Sequence, residues 1–203
     1  MSRKTVPMPP VDSCAPAKPL AAERIRRMAR ELFYQEGIRA IGVDELVSRA
    51  GVTKPSLYRN FASKDALAAA YLEDYEAEFW KCFEAGREAH PDDPRAQLLE
   101  YFEGLSQRAM QAGYRGCGLT NAAVEYPEID HPARQVAEAH KRRLRVRLVE
   151  LSQAMGAKSP EQLADGLLLL LEGTYASGQM FGEGGPARSL VAVAKQLIEA
   201  SLR

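Results

Sequence analysis

Between Val43 and Phe61 the chain reads VDELVSRAGVTKPSLYRNF. Lys54, Ser56, Tyr58, Arg59 and Asn60 place hydrogen-bond formers along one short stretch, while Val52 and Leu57 can turn inward. These residue types recognise rather than make bonds: cations, hydroxyls and an amide at helical spacing suit phosphates and base edges. The Thr53 hydroxyl can cap a helix that begins there, and Pro55 is tolerated in a first turn whose amides lack intrahelical partners. Free amides at such a helix start attract phosphate. Ala50 lets two helices approach, and Gly51 can take the turn conformation that costs other residues energy. The spacing is that of a helix-turn-helix, whose second helix enters a DNA major groove. An ordinary helical hairpin with a polar outer face has the same spacing.

Other chemistry is thinner. Cys117 stands between Gly116 and Gly118 and could act as a redox switch with Cys82, or simply pack as a small apolar residue. Three cysteines, with Cys14, form no CxxC pair and do not suggest a disulfide framework. Glu125, Glu128, Asp130 and His131 could hold a metal, but Pro127 and Pro132 flank them and favour a solvated loop. Lys141, Arg142, Arg143, Arg145 and Arg147 point around several sides of one helix, as a solvated face does. There is no phosphate-binding loop, dinucleotide fingerprint or nucleophile elbow. An enzyme working in an aromatic-lined cavity is therefore the rival reading, without a nucleophile–base or metal constellation behind it. No cofactor and no metal are expected.

The elements that must position these groups are all helical. The 203 residues contain 31 Ala and 22 Leu against 11 Val, 5 Ile and 4 Thr, a balance that favours helix over strand. Ile25, Met28, Ala29, Leu32 and Phe33 make one buried helix face, ended by Gly37. Two short helices follow at the motif. Ser63 caps a fourth, with Leu67, Tyr71, Tyr75, Phe79 and Phe83 every four residues along it to about Ala89. Further helices are expected over 95–111, from Asn121 to Tyr126, from Pro132 to Met155, from Ser159 to Phe181, and from Ala187 to Leu202. No alternating strand pattern and no internal repeat occur.

Residues 1–19 hold five of the 12 prolines and read as a disordered arm. No apolar run is long enough to span a membrane, and no signal core is present, so a cytoplasmic protein is expected. Formal net charge is zero, but residues 1–66 carry 12 Lys+Arg against 7 Asp+Glu, and residues 67–203 carry 15 against 20. The first third is thus the part suited to a polyanion.

The stretch AGVTKPSLYRNFASKDAL resembles the signature of the TetR (tetracycline-repressor) family of bacterial transcriptional regulators. The resemblance runs from Ile25 to about Leu72 and includes Phe33, Gly37, Val43–Glu45, Ala50-Gly51-Val52, Leu57-Tyr58, Phe61 and Lys64. The rest of the chain matches in length and helicity. The resemblance implies an all-α protein, with a helix-turn-helix domain at 20–66 and an effector-binding and dimerisation domain at 67–203. It implies phosphate contacts at Thr53, Tyr58, Lys64 and the amides of Gly42 and Val43. Lys54, Pro55, Ser56 and Asn60 would face the bases, beside Arg59. Gly42 stands where the family often has Thr or Ser, which loses a hydroxyl cap. Asn60 stands where His is common.

For the second domain the implied partners are a small-molecule effector and a second copy of the chain. The aromatic residues could line an apolar pocket, with a few polar groups orienting the ligand. The candidates are Phe79, Phe83, Phe102, Cys117, Asn121, Glu125, His140, Tyr175 and Gln179. GCGLTNAAVEYPE, residues 116–128, resembles a type found in one TetR subgroup whose Asn and Glu lie inside the domain. Leu168 on the 160–181 helix, with Leu190, Val191, Ala194, Leu197 and Ile198 on the last, would form the dimer interface. A homodimer would read a pseudo-palindromic operator in double-stranded DNA. The function implied is a repressor released by a largely apolar or aromatic ligand, with a Cys117 redox regulator as the alternative.

Overall fold

The computed structural model describes residues 20–202, and the expected arm at 1–19 lies outside them. Nine α-helices and no strand occur among the described residues: α1 Ala21–Glu36, α2 Val43–Ala50, α3 Lys54–Asn60, α4 Lys64–Ala89, α5 Pro94–Ala109, α6 Gly118–Glu125, α7 Pro132–Ala154, α8 Pro160–Phe181 and α9 Leu190–Leu202. Three of the helices, α3, α4 and α5, start at hydroxyl or carboxylate caps. Thr53 accepts from the Ser56 amide, Ser63 from Ala66 and Asp93 from Ala96. Gly51, at φ 62°, takes the left-handed conformation that turns α2 into α3.

The head is built on α1. Ile25, Ala29, Leu32 and Phe33 are buried against Leu46, Val47, Leu57 and the start of α4. Within the body, α4 crosses α5 so closely that a Cβ on Gly86 would stand 2.7 Å from the Gln97 carbonyl oxygen. The α7 and α8 helices bury Leu144, Leu148, Leu163, Leu167 and Leu171 between them. Head and body share one continuous core, because α4 belongs to both: Leu67 and Leu72 pack into the first, Phe79 and Phe83 into the second.

Two boundaries differ from the sequence reading. The last helix does not begin at Ala187: Pro186–Ser189 form a turn of 3-10 helix, closed by the Arg188 amide on the Gly185 carbonyl. The α6 helix begins at Gly118, three residues before the expected Asn121. Gly118 is buried against Tyr71 and Tyr75, so its flexibility is overridden by packing.

The dimer expectation also needs correcting in part. Leu190, Ala194 and Ile198 are buried in the protomer's own core, and Leu168, Val191 and Leu197 are half-buried. The outward apolar side chains of this end are Leu169, Met180 and Phe181 on α8 and Val193 and Leu202 on α9, with the small exposed residues Gly173 and Ala176 between Leu169 and Met180.

Candidate DNA-contacting face and effector cavity

The α2–α3 unit presents its motif as the spacing requires. Leu57 is buried and anchors α3. Thr53, Lys54, Pro55, Tyr58, Arg59 and Asn60 are exposed, and Ser56 is partly covered. Asn60 donates its side-chain amide to the Ser56 carbonyl at 2.7 Å, tightening the end of a short helix. Lys54 Nζ lies 2.7 Å from Asp44 Oδ1 across the turn. Both partners are exposed, and such pairs exchange readily for another anion. Gly42 precedes α2 in extended conformation with no side-chain cap, leaving the first amides free.

Lys64 is more constrained. It is half-buried, which pulls its pKa below the ordinary lysine value, and its Nζ donates to the Arg39 carbonyl at 3.4 Å. It therefore ties the α1–α2 turn to the start of α4.

That turn is the joint between head and body. The Arg39 amide donates to Glu125 Oε2 at 2.8 Å, and the Arg39 guanidinium donates to the Glu125 carbonyl at 3.0 Å. Tyr126 stacks on His131 with ring centroids 3.7 Å apart, and His131 Nε2 stands 3.5 Å from Asp65 at the start of α4. A second tie runs from α1 to the 110–117 loop. The Tyr34 hydroxyl donates to the Gly116 carbonyl at 3.2 Å and accepts from the Arg115 amide at 3.1 Å.

Beneath this second tie lies a cavity of about 630 Å³. The α1 helix contributes Arg27, Arg30, Glu31, Tyr34 and Gln35. The α4 helix contributes Tyr71, Tyr75, Glu78, Phe79 and Cys82, and α5 contributes Tyr101, Leu105 and Arg108. Residues 111–114 with Gly116 and, from α8, Tyr175 close it. Its walls are aromatic faces carrying hydroxyls: Tyr34 stacks on Tyr75, Tyr71 meets Tyr75 edge-on, and Tyr101 and Tyr175 share a hydroxyl–hydroxyl hydrogen bond of 3.2 Å. Burial pushes the phenols of Tyr71, Tyr75, Tyr101, Tyr114 and Tyr175 above their ordinary range, so they stay protonated as donors.

Of the candidate ligand residues, Phe79 and Tyr175 line this cavity. Phe83 stacks behind Phe79 at 5.6 Å, and Phe102 is wholly buried in the core. Asn121 spends its amide on the Arg115 carbonyl at 2.7 Å, and Glu125 serves the joint. Gln179 lies along α8, with its amide 3.5 Å from the Tyr175 carbonyl. His140 is fully buried beside Phe79 and Trp80, with Nδ1 3.4 Å from Glu76 and no hydrogen bond at either nitrogen. Burial, with the Lys141 charge beside it, lowers its pKa to about 4. Cys117 is buried, with Sγ 3.6 Å from Lys141 Nζ, a lysine that is itself paired with Glu172 at 2.6 Å.

Phe83, Phe102 and His140 are packed into the core, and Asn121 and Glu125 sit on α6, so these five lie off the cavity lining. The opening lies on the α1 side instead. Arg27, Arg30, Tyr34, Arg108 and Tyr114 stand on amphipathic helices or a Gly-rich loop and give no sequence signal of a pocket; the three arginines are exposed, and the two tyrosines are half-buried. No group of three or more potential metal ligands occurs among the described residues. The basic run on α7 is largely paired: Lys141 with Glu172, Arg145 with Asp165 and Arg147 with Glu84.

Residues 25–71 match the family model described as bacterial regulatory proteins, tetR family. The fold is similar to that of SCO4454, a TetR-family transcriptional regulator from Streptomyces coelicolor: TM-score 0.84, 27% identity, covering 90% of this chain and 96% of that one. A tetR-transcriptional regulator from Streptomyces avermitilis is 30% identical, with TM-score 0.79 and 90% and 98% of the two chains covered. The repressor NemR of Escherichia coli is 25% identical over 66% of each chain. Other curated helix-turn-helix regulators match more locally, over 20 to 26% of their own length. The chain belongs to the TetR family of bacterial transcriptional regulators.

Proposed function

We propose that the protein is a homodimeric repressor that sets one α3 of each protomer into the major groove of a pseudo-palindromic operator and leaves it when a small molecule fills the cavity. The observation that carries this reading is the shared wall of the cavity. Side chains of α1, which holds the helix-turn-helix, and of α4, α5 and α8 in the body line the same space. A ligand that fits one relative placement of these elements better than another shifts the head by its differential affinity. On the DNA side, Thr53, Tyr58, Lys64 and the Gly42 and Val43 amides take phosphates, and Lys54, Pro55, Ser56, Arg59 and Asn60 face base edges. The dimer is proposed to form where Leu169, Gly173, Ala176 and Met180 of α8 and Val193 of α9 face outward. Cytoplasmic location accords with a DNA partner, and no described helix is long and apolar enough to cross a membrane.

The test is salt-dependent binding of the whole chain to DNA upstream of its own gene, read by fluorescence anisotropy. Binding that steepens as salt falls and is competed poorly by unrelated DNA is expected. Equal affinity for random DNA would sink the operator reading. The Lys141–Cys117 contact favours a second reading, a thiol-controlled regulator. It predicts that a Cys117→Ser variant holds the operator through mild oxidation while the parent chain lets go.

A further inference from the structure

We propose that the cavity takes an organic acid, with a planar or aromatic body among the tyrosines and an anionic group held by Arg27, Arg30 and Arg108. This rests on the reading of the cavity as the effector site and adds the ligand's chemical class.

Charge gives the first argument. Three arginines and two glutamates, Glu31 and Glu78, are the charged residues of the lining, so it carries a net positive charge. Arg27 and Glu31 are spaced four apart on α1, where an internal ion pair is easily made. Yet among the described residues none of these five makes an ion pair within 4.0 Å or a side-chain hydrogen bond. Outside the cavity eight described arginines make ion pairs, as at Arg26–Asp74 and Arg147–Glu84, while Arg24, Arg59, Arg87, Arg115 and Arg188 make none among the described residues. Arg27, Arg30 and Arg108 are exposed as well as lining the cavity, so their guanidinium donors stay open to solvent or to a ligand. A guanidinium presents those donors as a planar fork that matches a carboxylate.

The walls supply the second argument. Burial keeps the lining phenols protonated, so they donate hydrogen bonds to an anion instead of repelling it. Their faces can stack on a flat body. Arg108 already lies over the Tyr101 ring, 5.7 Å from its centroid, so cation and aromatic wall converge. A quaternary ammonium, the alternative that aromatic walls invite, would face three unpaired cations.

Placement gives the third. Two of the arginines belong to α1 and one to α5, so an acid group between them would draw the head toward the body at a point beside the Tyr34 tie.

The experiment compares three probes of one shape on the DNA-free protein by titration calorimetry: 2-naphthoate, its neutral amide 2-naphthamide, and 2-naphthyltrimethylammonium. The acid should bind at least about tenfold more tightly than the amide, and its advantage should shrink with salt. In the Arg27→Gln/Arg30→Gln/Arg108→Gln variant, checked for folding by thermal melting, the gap should fall below about threefold. Each single Arg→Gln variant, also melted, should narrow it in part, which keeps the test open should the triple variant fail to fold. Equal binding of acid and amide, preference for the ammonium, survival of the gap in the single and triple variants, or no binding by any probe at about 1 mM overturns the proposal. Operator affinity is read separately with saturating 2-naphthoate. Tight acid binding that leaves the operator complex intact keeps the ligand class and defeats the effector reading. Release by the amide alone does the reverse.

Discussion

His140 is the most buried polar side chain of the body that no partner satisfies, and its environment decides its charge. Phe79 stands perpendicular to the imidazole at 4.5 Å, Trp80 tilts over it at 5.6 Å, Glu76 lies 3.4 Å from Nδ1, and Lys141 is its neighbour on α7. Desolvation is the largest influence and keeps the ring neutral, with a pKa lowered from 6.5 to about 4. The unfolded chain therefore takes up a proton near pH 6.5 that the folded chain refuses until about pH 4. Stability from this group is fully present above pH 6.5 and falls between the two values, by ~1.4 kcal/mol per pH unit and ~3 kcal/mol in all. Urea unfolding from pH 7 to pH 4.5 should show a steeper acid loss in the parent chain than in His140→Leu. Parallel profiles would refute the account. The sequence marks His140 as a polar residue on an apolar face. It cannot show that four groups from two helices surround it. Gly86 teaches a similar lesson: it reads as a helix-weakening residue, but the approach of α5 requires it. Gly86→Ala must push the Gln97 backbone away from a 2.7 Å contact and should cost ~1–3 kcal/mol in denaturant unfolding, despite alanine's better helix propensity.

At the scale of elements, caps and turn glycines were readable because they act locally. Thr53, Ser63 and Gly51 do in the structure what their types suggest. Faces were harder to read. The α9 helix is apolar on more than one side, so periodicity cannot say which side its own body covers. Leu190, Ala194 and Ile198 turn inward because α5 and α8 pack there, while Val193 faces out. This assigns the outer stripe of α8 and α9 a specific prediction. Leu169 is 72% exposed and sits mid-stripe, so Leu169→Arg should leave the protomer folded and place an unpaired charge in any α8–α9 interface. Sedimentation should report a monomer for the variant and a dimer for the parent, with operator affinity lost in parallel. A dimeric Leu169→Arg variant would move the interface elsewhere. The cavity is readable only in part, for a related reason: the aromatic residues of the body, Phe79 and Tyr175 among them, point to a pocket, but the wall from α1 is made by its exposed polar face.

For the molecule as a whole, the proposed function has a ligand in the cavity act on the proposed DNA-contacting face, and two structural connections can carry the effect. One is α4, continuous from Lys64 to Ala89, with Tyr71, Tyr75 and Phe79 on the cavity. The other is the joint where Glu125, at the end of α6, holds both the amide and the guanidinium of Arg39 while Lys64 holds the Arg39 carbonyl. Gly37, at φ 95°, brings the backbone so close to this carboxylate that a Cβ would stand 3.2 Å from Glu125 Oε1. The joint is polar, short and in part exposed, so it can break and re-form without a large change in buried area. Linkage requires that a ligand weakening operator binding by some factor is itself bound more weakly, by the same factor, on the operator complex. Glu125→Ala removes the side-chain acceptor for Arg39 without touching the cavity lining. It should keep ligand affinity on the free protein and reduce the coupling factor in both directions together, by about fivefold if the joint carries around 1 kcal/mol. Four dissociation constants settle the matter: operator with and without ligand, ligand with and without operator, each for parent and variant. A variant with undiminished coupling would assign transmission to α4 alone. Loss in one direction only would violate the cycle and mean that the two ligands are not meeting the same two states.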